Sequence, residues 1–171
     1  MEKELTIAQA LRKIKELKGK LAKHSANAAA CVTHKTKQVP AYGFSAEVEV
    51  ASVVVDEMLD LQTRVAVANA KTTIDWAGKP RPLAWATKKL AETKAAISWH
   101  QNLNVRAQAK TSEEEFDYVR GASGAAEHVR IEIEYTCHLP EAEKAARIQK
   151  LETQFADLND LVETMNHRTL V

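Results

Sequence analysis

Residues 45–70 read SAEVEVASVVVDEMLDLQTRVAVANA, and this stretch decides the fold class. Its apolar side chains recur at steps of three and four, which places them on one line of an α-helix. The β-branched run at 53–55 would favour a strand by itself, but a period sustained through the whole stretch outweighs local propensity. We therefore predict a long helix with Ser45 as its N-cap. The repeating positions are Ala51, Val54, Met58, Leu61, Val65 and Ala68.

Three further segments show helical spacing. A helix from Thr6 to Lys23 begins with a capping box, because Gln9 follows Thr6 by three residues. The spacing predicts a second helix from Pro82 to Lys110 and a third from Pro140 to Asn166. Each of these two begins at a proline, which the first turn of a helix tolerates.

The segments between the helices contain the β-favouring residues. Residues 128–137 alternate strictly between apolar and polar side chains, which predicts a strand from His128 to Cys137. Thr111 and Glu114 have capping-box spacing and predict a short helix before it. Residues 24–43 are interpreted as a loop that includes a candidate edge strand at 32–37, and residues 71–82 as a connector that can form a short hairpin. The tail 167–171 is expected to be strand-like.

The amino-acid composition also indicates a mainly helical protein. Apolar residues make up 45% of the 171-residue chain and aromatic residues only 5%, which is typical of closely packed helices. The sequence therefore predicts one mainly α domain over residues 1–171, an antiparallel bundle of three long helices with a short helix and a minor β element. Each helix has one narrow apolar line that a monomer would leave half covered, so we expect an oligomer.

Charge and cysteine content limit the function classes. The formal net charge is +1, from 24 basic and 23 acidic side chains, so no whole-molecule field attracts a nucleic acid polymer. The amino terminus has no apolar core and no apolar run is long enough to span a membrane, so we expect a cytoplasmic protein. In that reducing compartment Cys31 and Cys137 are expected to stay thiols.

No catalytic pattern is found in the sequence. There is no nucleophile elbow, no glycine-rich phosphate loop and no His-Glu-x-x-His sequence, so we expect neither an enzyme nor a cofactor. Zinc would need Cys31, His34, Cys137 and His138 to converge, which requires the possible edge strand to lie beside the long strand. The favoured alternative is that the thiols pack as small hydrophobic groups.

Basic side chains in the loops are the remaining candidates for a function. A tryptophan beside cationic groups can stack a ring and pair with its phosphate. The alternative is that the lysines only solvate the loops and Trp76 covers the end of the bundle. The candidate ligand-binding residues are Lys35, Lys37, Lys71, Trp76, Lys79, Arg81, His167 and Arg168.

Three stretches carry a resemblance to a known family: IAQALRKIKELKGKLA at 7–22, RVAVANAKTT at 64–73 with the Gly-Lys turn and LAWATKK after it, and DLVETMNHRTLV at 160–171. In these stretches the chain resembles the septicolysin-like family of small helical proteins of bacteria and their phages. The resemblance implies a helical, oligomeric, cytoplasmic protein with no assigned chemistry.

Our leading hypothesis is a non-enzymatic oligomeric binding protein, of phage origin, that sequesters a small anionic ligand such as a nucleotide signal. A structural or scaffolding protein of phage assembly is the first alternative, in which the surfaces bind only protein. A hydrolase that acts on a small phosphorylated ligand is the second.

Overall fold

The structure, a computed structural model, describes residues 4–105, 113–120, 126–133 and 137–171. The mainly helical class predicted from the sequence is confirmed. Among the described residues, no helix is both long and apolar enough to cross a membrane. The helices and strands, in chain order, are α1 Ile7–Ala30, α2 Phe44–Lys71, β1 Thr73–Trp76, β2 Lys79–Pro82, α3 Leu83–Gln101, β3 Glu113–Arg120, β4 Ala126–Ile133 and α4 Glu141–Arg168.

The chain forms two compact units. The first comprises residues 1–91 and 156–171, and therefore contains α1, α2, the β1–β2 hairpin, the start of α3 and the end of α4. The second comprises residues 92–155 and contains the β3–β4 hairpin. The assignment of a single domain stays a prediction.

In the first unit, α1 and α2 run antiparallel. Lys13 of α1 pairs with Glu57 at 2.8 Å, whereas His24, eleven residues later, pairs with Glu47, ten residues earlier. Between them lies an apolar core that also includes residues from the hairpin, α3 and α4. The buried residues are Ile7, Ala10, Ile14, Leu17, Val54, Leu61, Val65, Ala68, Ile74, Leu83, Ala86, Leu158 and Val162.

The predicted end of the first helix was wrong, since α1 continues past Lys23 to Ala30. The apolar period stops at Leu21, but the added turns are rich in alanine, the strongest helix former. A contact with α2 also holds them: the Nδ1 atom of His24 lies 2.7 Å from Glu47 Oε2, and Asn27 Nδ2 donates to the same oxygen at 3.2 Å. The period of the apolar residues contains no information about such a polar contact between two helices.

This contact makes the stability depend on the ionisation of Glu47. The hydrogen bond with His24, more than any other interaction, lowers the pKa of Glu47 below its usual 4.5. Because the pKa of Glu47 is lower in the folded state, the ionised carboxylate stabilises the fold fully above the unfolded-state pKa of 4.5. This stabilisation is lost as the pH falls through the lowered folded-state pKa. We expect Glu47→Gln to lower Tm at about pH 6. The difference in Tm between wild type and Glu47→Gln should become smaller below about pH 4.5.

Thermal unfolding followed by circular dichroism at several pH values measures this gap. Glu16→Gln, at an exposed position of α1, is the matched control and should leave Tm nearly unchanged. A Glu47→Gln gap that stays constant across the acidic range would contradict the assignment.

Two other helix boundaries also differ from the prediction. Gly43, not Ser45, is the N-cap of α2, and it makes no side-chain capping hydrogen bond. α3 ends at Gln101 rather than Lys110, because Asn102 and Asn104 are poor helix formers, although Asn104 falls on the apolar period. Residues 106–110 lie outside the described residues. The possible edge strand at 32–37 is not formed, since the turns of residues 31–43 replace it.

The short helix predicted after Thr111 was wrong, because Glu113–Arg120 form strand β3. Thr111 itself lies outside the described residues. β3 pairs antiparallel with β4, so the predicted alternating strand finds its partner in the segment before it. β4 begins at Ala126, two residues before the predicted start, and ends at Ile133. Pairing between distant residues outweighed the local capping-box signal.

The predicted hairpin after α2 is confirmed as β1 and β2, joined by Ala77 and Gly78. Both turn residues have positive φ, 53° and 73°, as a type I′ turn requires. The strand ends are fixed by the Leu83 backbone N–H, which donates to the Thr72 carbonyl at 2.8 Å.

Ala77 occupies a left-handed conformation that costs an L-residue about 1–2 kcal/mol. Asparagine tolerates this region, and Asn-Gly is the preferred type I′ pair. We expect Ala77→Asn to raise the free energy of unfolding by about 0.5–1 kcal/mol in urea denaturation. Ala77→Val, which is β-branched, should lower it. If both variants shift stability in the same direction, the turn assignment is wrong.

The last helix includes His167 and Arg168, which were predicted to belong to a strand-like tail. The tail begins after them, and Leu170 forms an antiparallel bridge with Thr6. Two backbone hydrogen bonds flank this bridge, from Ile7 N to Thr169 O at 2.9 Å and from Val171 N to Leu5 O at 2.8 Å. The tail thus closes the first unit at the start of α1.

Candidate ligand-binding site

Three of the predicted ligand-binding residues lie on one face of the β1–β2 hairpin. Trp76 is paired with Lys79, and Ile74 with Arg81. Directly opposed residues share a face, as do residues two apart on one strand, so all four lie on the same face. Ile74 is buried and Trp76 is half-buried against the core, whereas Lys79 at the tip is exposed. The hairpin therefore brings one indole and two cations together.

The first turns of α3 complete this group. The guanidinium carbon of Arg81 lies 5.1 Å from the ring centroid of Trp85, within cation–π range. Lys88, three residues after Trp85, is a neighbour on the helix surface and is exposed. We call this group the basic patch, and define it as Trp76, Lys79, Arg81, Trp85 and Lys88.

The basic patch lies in a stretch free of acidic residues. Residues 76–91 contain four lysines and arginines and no aspartate or glutamate, in a chain whose net charge is only +1. Partial burial of Arg81 and of both indoles lowers the local dielectric, which strengthens attraction for an anion. The arrangement can stack an aromatic ring and pair with a phosphate or carboxylate.

The other predicted residues lie elsewhere. Lys35 and Lys37 are exposed in the loop between α1 and α2, and His167 and Arg168 are exposed in the last turn of α4. Lys71 is the last residue of α2 and lines a cavity of about 320 Å³. The structure thus separates the eight predicted residues into different surfaces.

A larger cavity of about 520 Å³ lies along α2, lined by residues from α2, Leu5 and Lys13. Its walls carry both signs of charge: Lys13 is paired with Glu57 at 2.8 Å, and Arg64 donates to the Val171 carbonyl at 2.6 Å. Asp60 adds a second carboxylate. The mixed charge makes this cavity a weaker anion site than the basic patch, whose five residues include three cations and no acid.

The structure does not support a zinc site in the part of the chain that it describes. Among those residues, no three histidine, cysteine, aspartate or glutamate side chains lie close enough together to hold a metal ion. Cys31 is buried at the end of α1, and the Cys137 thiol donates to the Leu139 carbonyl at 3.1 Å. Both cysteines are free thiols.

Trp85 and Lys88 were not among the ligand-binding residues predicted from the sequence. The available signal was the position of Arg81 directly before the predicted helix start at Pro82, because the first turn of that helix then lies close to Arg81. Trp85, four residues after Arg81, falls in this turn.

No family model matches the chain, and no curated protein matches it. Among solved structures, the chain is similar to the crystal structure of a functionally unknown conserved protein from Corynebacterium diphtheriae, with a TM-score of 0.74, 16% sequence identity and 99% of each chain covered. The resemblance to the septicolysin-like family stays a prediction. At this identity the likeness shows the fold alone, so the chain shares its fold with a conserved protein whose function is unknown.

Proposed function

We propose that this chain is a non-enzymatic binding protein that sequesters a small anionic ligand with an aromatic ring, such as a nucleotide, on the basic patch. The observation that supports this proposal is the Arg81 guanidinium, which lies over the Trp85 ring at 5.1 Å from its centroid in a stretch of sequence without acidic residues. A guanidinium beside an aromatic face keeps its N–H groups along the edge of its plane, and this fork can donate two parallel hydrogen bonds to a phosphate.

The ligand is held by two kinds of contact. Its ring stacks on an indole of the basic patch, which contributes about 1–3 kcal/mol. Its charged group accepts hydrogen bonds from Arg81 and pairs with Lys79 or Lys88, but exposed lysine pairs contribute at most about 1 kcal/mol each. Together with about 1.5–3 kcal/mol from Arg81, these contacts give a dissociation constant on the order of 10 µM to a few mM, and binding weakens with added salt.

The proposal also covers the assembly. It retains the antiparallel helical bundle, the oligomer and the cytoplasmic location expected from the sequence. Sequestration, rather than turnover, fits a patch made of cations and indoles, since these groups bind and orient an anion but supply neither a nucleophile nor a general base near neutral pH.

Calorimetric titration at low salt tests the proposal with a nucleoside triphosphate, inorganic phosphate and an uncharged nucleoside. We expect the nucleotide to bind most tightly and the nucleoside most weakly. Lys79→Ala/Arg81→Ala should weaken nucleotide binding at least about tenfold, since hydrogen bonds to charged groups contribute about 1.5–3 kcal/mol.

The matched control is Lys35→Ala/Lys37→Ala, which removes the same charge from the loop between α1 and α2. It should leave nucleotide binding unchanged. Absence of heat with every anion, or equal binding by wild type and Lys79→Ala/Arg81→Ala, would overturn the proposal.

A second candidate function, a structural or scaffolding protein of phage assembly, is favoured by exposed apolar side chains along α2. Phe44, Val48 and Leu59 are each 45–51% exposed, although they belong to the long helix that forms the core. Uncovered apolar residues along one helix are typical of protein contacts. Detection of the chain in purified phage particles would support this candidate over sequestration.

A further inference from the structure

The first unit separates its charges by segment. Residues 44–63 of α2 carry five acidic side chains and no lysine, arginine or histidine. Residues 76–91, which contain the basic patch, carry four cations and no acid. One chain thus contains two strongly charged surfaces of opposite sign.

The acidic residues of α2 lie along one line of the helix. Glu49, Val53, Asp56, Asp60 and Thr63 follow at steps of four, three, four and three residues, so they share one side. All five are exposed, and Val53 is 66% exposed. This acidic line is about 21 Å long at 1.5 Å per residue. It is distinct from the buried line that contains Val54, Leu61 and Val65.

An apolar strip borders the acidic line. Phe44, Val48 and Leu59 repeat with helical spacing on the adjacent side of α2 and are each about half exposed. We define the docking face of α2 as this strip together with the acidic line. A face that is both apolar and acidic fits a partner surface that is both aromatic and basic.

We propose that the docking face of α2 binds the basic patch of a second copy of this chain. The basic patch offers the required partner chemistry, because Trp76 and Trp85 are half-buried indoles and Lys79 and Lys88 are exposed cations. Within the residues that the structure describes, no ion pair joins Lys79 or Lys88 to the acidic line. Both complementary surfaces therefore remain available for contact between copies.

The contact joins two different surfaces, so in a two-fold dimer it forms twice and in a ring once per subunit. Opposite charges attract the two copies and fix their relative orientation. The apolar strip and the indoles contribute the apolar area that the contact buries. This inference does not depend on the proposed ligand. If both hold, a small anion and the second copy compete for the basic patch.

Light scattering coupled to size-exclusion chromatography tests the contact. At about 50 mM salt we expect wild type to exceed the 19.0 kDa of one chain, and at about 500 mM salt to approach it, because screening weakens charge pairs at a surface. The patch variant, Lys79→Glu/Lys88→Glu, and the helix variant, Glu49→Lys/Asp56→Lys, should each be monomeric at low salt.

Mixing the two variants is the decisive step. In the mixture, the lysines on α2 of the helix variant face the glutamates of the patch variant, and the native acids of the patch variant face the native lysines of the helix variant. Both contacts are therefore attractive, and the mixture should assemble although neither variant does alone. Lys15→Glu/Lys20→Glu, at exposed positions of α1, changes the net charge by the same amount as the patch variant and should assemble like wild type.

Circular dichroism of each variant verifies the fold, which these exposed substitutions should preserve. The proposal is overturned if wild type is monomeric at low salt and about 100 µM, a concentration at which even modest contacts of about 5–6 kcal/mol are populated. It is equally overturned if the oligomer persists in both variants, or if the two monomeric variants fail to assemble when mixed.

Discussion

Replacement of Leu83 by alanine is expected to lower the free energy of unfolding by about 3 kcal/mol. The Leu83 side chain is 0% exposed and belongs to the core of the first unit. Its removal forfeits the transfer free energy of three buried carbons and leaves a cavity that close packing refills only in part. Leu83 also stabilises the hairpin, because its backbone N–H donates to the Thr72 carbonyl across the strand ends.

Urea denaturation followed by far-UV circular dichroism measures this loss as a lower midpoint. Leu11→Ala is the matched control, since it removes the same atoms from a side chain that is 45% exposed. The control should cost less than about 1 kcal/mol. Equal losses in the two variants would show that Leu83 does not occupy the core.

The elements that the sequence predicted best are those whose signals are local. In the β1–β2 hairpin, two prolines forbid the helix, Gly78 supplies a positive φ, and the β-favouring residues stand directly before the turn. The line of apolar residues in α2 likewise predicted its buried side, with Val54, Leu61, Val65 and Ala68 all in the core.

The errors occur where a distant residue decides. α1 continues to Ala30 because His24 and Asn27 contact Glu47, a residue that lies beyond the next loop. β3 forms in place of the predicted helix because β4 pairs with it along its whole length. Neither contact produces an apolar period or a capping pattern in the local sequence. A prediction made separately for each segment therefore misses both contacts.

The candidate site was predicted only in part, because contacts between distant residues also decide which side chains meet. Trp76, Lys79 and Arg81 were chosen by residue type, and the hairpin brings them onto one face because their spacing matches its register. Lys35, Lys37, His167 and Arg168 were chosen on the same grounds, but they belong to other elements. Residue type indicates which side chains can bind an anion, whereas only the pairing of elements shows which of them act together.

Replacement of Trp85 by alanine is expected to weaken nucleotide binding about 5- to 150-fold, because stacking of one base on an aromatic side chain contributes about 1–3 kcal/mol. The indole has a second role, since Arg81 lies over its ring at 5.1 Å and would lose its fixed orientation. Trp85→Phe keeps an aromatic face with a weaker cation–π attraction, so it should bind with an affinity between those of wild type and Trp85→Ala.

Calorimetric titration with a nucleotide and with inorganic phosphate separates the two roles. Phosphate has no ring, so its binding should weaken only through the displaced Arg81, by a smaller factor than nucleotide binding. Trp99→Ala is the control, because Trp99 is a 60% exposed indole of the same helix. It should bind both ligands like wild type. If Trp85→Ala retains its fold but weakens phosphate and nucleotide equally, Trp85 only positions the guanidinium and the ring of the ligand does not stack on it.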